Sequence, residues 1–86
     1  MENHRGERVI VRAFNGGLLI RRVWAAYPWA VEVTGDEQFE AHERGEVAPM
    51  PIPFPREDVF VADPDAVRAL TSGDALKSSR LRLLPP

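Results

Sequence analysis

Residues 8–14 read Arg-Val-Ile-Val-Arg-Ala-Phe and residues 18–26 read Leu-Leu-Ile-Arg-Arg-Val-Trp-Ala-Ala, with Asn15-Gly16-Gly17 between them. Asn and Gly both tolerate positive φ, so Asn-Gly between two apolar runs predicts a β-hairpin. With the turn at Asn15-Gly16, Val11 faces Ile20 and Ala13 faces Leu18. With the turn at Gly16-Gly17, Val11 faces Arg22 and Ala13 faces Ile20. Both registers gather Val9, Val11, Ala13, Leu18, Ile20, Arg22 and Trp24 on one face, which has one charge and is expected to be the core. The other face then holds Arg8, Ile10, Arg12, Phe14, Leu19, Arg21 and Val23, three arginines among four apolar groups. Because side chains alternate along a strand, a three-residue loop would break this parity.

Tyr27-Pro28-Trp29 reads as a loop and residues 30–34 (Ala-Val-Glu-Val-Thr) as a third strand. The period then changes. Thr34 and Glu37 have capping-box spacing, with Asp36 as an alternative cap, so a short acidic helix is expected over 36–44, anchored by Phe39 and ended by Gly45. Residues 49–55 carry proline at every second position, which excludes a central strand. They read as an edge strand that closes the core with Met50, Ile52 and Phe54, or as a polyproline ligand. Arg56-Glu57-Asp58 reads as a tight or 3-10 turn and Val59-Phe60-Val61 as a short strand. Asp63 as N-cap and Pro64 at the first helical position start a helix over 64–72, which Gly73 ends. Residues 74–86 are ambiguous between strand and helix.

The stretch Phe54-Pro55-Arg56-Glu57-Asp58-Val59-Phe60 is similar to the end of SH3-like barrels, where a proline and a 3-10 turn precede a short closing strand. The resemblance covers about residues 8–61 and is one of pattern and length. It implies a mainly-β (α+β) domain: a small SH3-like barrel or strongly bent antiparallel sheet, with the acidic helix and the C-terminal helix added. Peptide-binding SH3 domains carry Ala-Leu-Tyr-Asp-Tyr in the first strand and loop. Val11-Arg12-Ala13-Phe14-Asn15 does not reproduce it, so a proline-peptide groove is not implied.

Eighty-six residues suit one domain, with residues 1–7 expected to fray and 74–86 to form a tail. The net charge of −2 conceals blocks: residues 1–31 carry +3, residues 32–65 carry −8 and residues 66–86 carry +3. Such blocks either expose a basic face beside an acidic one or neutralise each other in the fold. Without cysteine, disulfides, thiolate metal sites and cysteine nucleophiles are excluded. No signal segment or membrane-spanning run is read, so a cytoplasmic setting is expected.

Candidate chemistry is sparse. His4 lies in the frayed lead and His42 in the acidic helix. The serines lack a G-x-S-x-G context, and Gly16-Gly17 belongs to a turn, not to a phosphate loop. No enzyme, cofactor or metal is expected. The mixed face suggests instead a non-catalytic module that docks a protein partner, or a second copy of the chain, through Arg12, Phe14, Leu19, Arg21 and Val23. The alternative is a single-stranded RNA or DNA binder that uses Tyr27 and Trp29 as stacking groups. The C-terminal helix competes with the docking reading, since Val67 and Leu70 could cover the same hairpin face.

Overall fold

A computed structural model of the protein describes residues 4–86. It is a mainly-β α+β fold with one five-stranded antiparallel sheet. The strands are β1 (Arg8–Arg12), β2 (Leu18–Ala26), β3 (Ala30–Thr34), β4 (Ile52–Pro55) and β5 (Val59–Val61); the helices are α1 (Asp36–Glu43) and α2 (Pro64–Thr71). The strand order is β4-β3-β2-β1-β5, and the sheet is open because β4 and β5 do not pair. It nevertheless curls. Laid flat, edges four strand spacings apart would stand about 19 Å from each other, yet a three-residue 3-10 turn (Arg56–Asp58) joins β4 to β5 and spans only about 6 Å.

The hairpin forms where expected, but its loop has three residues. Gly16 N–H donates to the Ala13 carbonyl at 2.8 Å and Ala13 N–H to the Gly17 carbonyl at 2.7 Å. Gly16, at φ 87°, takes the left-handed position that ends such a loop, and Asn15 Oδ1 accepts the Gly17 N–H at 2.9 Å. The odd loop shifts the register, pairing Val11 with Leu19 and Ile10 with Ile20. The expected faces are therefore corrected: Leu19, Arg21 and Val23 join Val9 and Val11, while Leu18, Ile20 and Arg22 join Ile10 and Arg12.

Both faces are interior over β1, where Val9, Ile10 and Val11 are all fully buried. The concave face holds Val9, Val11, Val23, Val31, Val33, Val59 and Leu84. The opposite face packs Ile10 and Phe60 against Ala66, with Leu18, Ile20, Leu70, Leu76 and Leu81 around them. Thus α2 does cover a hairpin face, through Leu70 as expected and Ala66 in place of Val67; beneath it lie the expected Ile10, with Leu18 and Ile20 in place of Leu19 and Val23.

Trp24 sits at a bulge in the β2–β3 pairing and turns toward α1, meeting Phe39 edge-on at 5.7 Å and His42 at 5.0 Å. Arg5 lies over Trp24 and Arg22 over Phe39, each at 4.1 Å. These cation–π contacts hold a helix with one buried residue, Phe39. Its N-cap is Gly35 without a side-chain bond, so the capping box does not form. Gly45 and Gly73 end the two helices at positive φ, as expected.

The two sheet edges are closed by different means. Proline lacks an N–H, so β4 can exchange ladder bonds with Val31 and Val33 of β3 only through Phe54 and Ile52. Pro53 and Pro55 therefore face outward, and that edge offers no donor. At the other edge, Val61 N–H donates to the Arg82 carbonyl at 2.8 Å and Leu84 N–H to the Val59 carbonyl at 3.0 Å. The ambiguous tail is thus a strand-like cap on β5. The expected fraying covered residues 1–7. Residues 1–3 lie outside the described residues, whereas His4 is buried between Glu7 and the Pro85 carbonyl, and Gly6 N–H donates to the Val23 carbonyl.

Candidate functional site

Of the charge readings, mutual neutralisation prevails. Arg5 meets Glu43 at 2.9 Å, Arg8 meets Asp36 at 3.3 Å, Arg12 meets Asp58 at 2.7 Å and Arg82 meets Asp63 at 3.0 Å. Each joins a basic end block to the acidic middle. The exposed Arg44 hydrogen-bonds Glu46 and holds its carboxyl below the usual carboxylate range. Among the described residues, Arg21, Arg56, Lys77 and Arg80 are left without an ion pair.

The five expected docking residues do not share one surface. Arg12 is a clamp: besides Asp58, it donates to Ser78 Oγ at 3.0 Å and to the Glu57 carbonyl at 3.1 Å, and its guanidinium lies 5.5 Å from the Phe60 ring. It ties β1 to the 3-10 turn and the tail. Val23 is fully buried in the concave core, which removes it from any surface. Phe14 is wholly exposed at the hairpin tip. Leu19 and Arg21 remain together.

They line an open groove of about 370 Å³ with Val33, Thr34, Gly35, Gln38, Pro49, Met50, Ile52 and Phe54. The groove exists because β3 ends at Thr34 and the chain leaves as α1, while β2 extends four residues further, from Arg21 back to Leu18. Met50 and Ile52 are 80% and 61% exposed and Leu19 is 37% exposed. Met50 and Ile52 are expected on the core-closing side of the proline segment. The structure buries Phe54 partly against the concave core but leaves the other two at the groove rim. The alternating prolines carry a signal for this, since they restrict the segment to a sheet edge, where apolar side chains are flanked by a neighbouring strand on one side only. Among the described residues Arg21 is the one charged residue lining the groove, and its guanidinium donates to the Ile20 carbonyl at 2.8 Å.

Tyr27 and Trp29 stack at the β2–β3 turn, 5.5 Å apart and 15° from parallel. Trp29 is 73% exposed, and Arg56 Nε donates to the Tyr27 carbonyl at 2.7 Å. Among the described residues no cluster of three or more His, Cys, Asp or Glu side chains could hold a metal ion, and no helix is long and apolar enough to cross a membrane. Compared with protein-family models, curated proteins and solved structures, the chain finds no match in any of the three.

Proposed function

We propose that the protein is a non-catalytic cytoplasmic interaction module that docks a protein partner in the groove between β2 and the proline segment. One observation carries this reading: Leu19, Met50 and Ile52 stand exposed around Arg21, which has no ion pair among the described residues, while the other hairpin arginines are engaged by acidic side chains or aromatic rings. Exposed apolar groups around an arginine have the composition of interface hot spots. The docking residues are thus Leu19 and Arg21 with Met50 and Ile52. The strand order and the 3-10 turn leading into β5 support the accompanying proposal that the domain is SH3-like.

A photo-crosslinking residue at Leu19, in the full chain added to its native lysate, tests the docking reading. The expected result is one discrete adduct that Arg21→Glu abolishes, with no adduct from the same group at exposed Leu83. Equal labelling from both positions, or none from Leu19, would overturn it.

The Tyr27–Trp29 stack favours a second reading, binding of single-stranded nucleic acid, because an exposed aromatic pair is a stacking platform for bases. Binding would quench tryptophan fluorescence in a Trp29-dependent way and weaken steeply with salt. An oligonucleotide that leaves the fluorescence unchanged at low salt would remove this reading.

A further inference from the structure

The groove is also a gap in the sheet. In the β1–β2 ladder the pairs Ala13–Gly17 and Glu7–Val23 are joined by hydrogen bonds. Bonded and non-bonded pairs alternate, so Leu19 and Arg21 direct their backbone groups toward β1, whereas Leu18, Ile20 and Arg22 direct theirs away from it. Arg22 meets Thr34 of β3. Beyond that pair β3 has ended, and among the described residues no strand lies on the outer side of Leu18 and Ile20.

The protein blocks its other edges, with prolines on β4 and with residues 82–84 on β5. Among the described residues no acceptor takes the Leu18 or Ile20 N–H, so this short edge keeps two donors open. Its cover among the described residues is Arg21, whose guanidinium donates to the outward carbonyl of Ile20. That contact is between neighbouring residues and is exchangeable, so an incoming backbone N–H can replace it and free the guanidinium.

Resting on the docking reading above, we propose that the partner binds as an extended peptide segment. It adds a strand to the Leu18–Ile20 edge of β2 and presents a carboxylate to Arg21. The geometry supplies both halves of such recognition. Main-chain bonds at Leu18 and Ile20 fix the peptide's direction and register, and Leu19, Met50 and Ile52 contact every second side chain. The charge is supplied by Arg21, a guanidinium with no carboxylate among the described residues, in a groove otherwise without charge. A carboxylate can take two parallel bonds from it, whereas a lysine-bearing peptide would meet a like charge.

The test uses the full chain labelled with ¹⁵N and a blocked five-residue peptide alternating threonine and valine around a central glutamate. Companion probes replace the glutamate by lysine or carry N-methyl groups on alternate amides, in either phase. The expected result is saturable change and slowed exchange at the Leu18 and Ile20 amides. Binding should be at least about tenfold weaker for the lysine peptide, and Arg21→Gln should remove that difference. One N-methylation phase abolishes binding and the other spares it, because only one phase removes donors facing β2.

Equal tolerance of both phases, or binding that leaves the Leu18 and Ile20 amides unprotected, overturns strand addition. So do no binding at millimolar peptide, the same amide changes produced by oligothymidylate, and changes that track the protein's own concentration. If the Leu19 crosslink nevertheless persists, the docking reading survives and only its strand form falls. If the crosslink is also absent, both fall.

Discussion

Arg12 and Arg21 belong to one hairpin yet project from opposite faces of its sheet, because Ala13 and Gly17 close a three-residue loop between them. Arg12 is spent on Asp58, Ser78 and the Glu57 carbonyl, and Arg21 on the carbonyl of its neighbour. Their variants should separate. Arg12→Ala is expected to cost about 1–2 kcal/mol, since charged hydrogen bonds are lost at a half-exposed site. Arg21→Ala should stay within about 0.5 kcal/mol of wild type. Denaturant titration of the two variants checks the pair, and equal losses would contradict the difference in roles.

Gly16 holds φ at 87° with no atom within 4 Å of the position a Cβ would take, so its cost on substitution is conformational and not steric crowding. Gly16→Ala should destabilise by about 1–2 kcal/mol, and Gly16→Asn by less, because asparagine tolerates the left-handed region better. Thermal melts of both variants check the order, and Ala melting at or above Asn would contradict it.

Leu84 is 7% exposed and packs into the concave core from the tail that caps β5. Leu84→Ala is expected to cost about 2–4 kcal/mol. Truncation after Arg80 should do more than destabilise. It uncovers the outward N–H and C=O groups of Val59 and Val61, so the truncated chain should self-associate as concentration rises. Light scattering across a dilution series reads this directly, and a monodisperse truncated monomer would contradict it.

On β4 the outward positions are Pro53 and Pro55. Replacing both with threonine restores two edge donors while the ladder through Ile52 and Phe54 stays intact. The double variant should melt near wild type but aggregate faster on heating. An unchanged aggregation rate would show that the prolines do not guard this edge.

Much of the element order was legible in the residues. Ala30-Val31-Glu32-Val33-Thr34, Arg56-Glu57-Asp58 and Val59-Phe60-Val61 each adopt the expected state, because their alternation, charge and proline context act locally. The faces of the hairpin were not legible. Asn15-Gly16 is compatible with loops of two or three residues, and one residue of loop length exchanges every side chain of β2 between faces. The uninterrupted run Val9-Ile10-Val11 did carry a signal, since three consecutive apolar residues fit a strand covered on both sides. The groove was illegible for a different reason: it depends on where β3 stops relative to β2, a tertiary relationship with no local signature. Of the stacking pair, the residues were identifiable but their mutual contact was not.

The hairpin register decides all of this, and nuclear Overhauser contacts between backbone Hα protons measure it. Non-hydrogen-bonded pairs bring Hα atoms together across an antiparallel ladder. The three-residue loop predicts strong contacts for Ile10 with Ile20 and for Arg12 with Leu18, leaving Leu19 and Arg21 on the groove side. A pattern joining Ala13 with Leu18 and Val11 with Ile20 would return Leu19 and Arg21 to the face of Ile10 and Arg12, and with it remove the proposed docking groove.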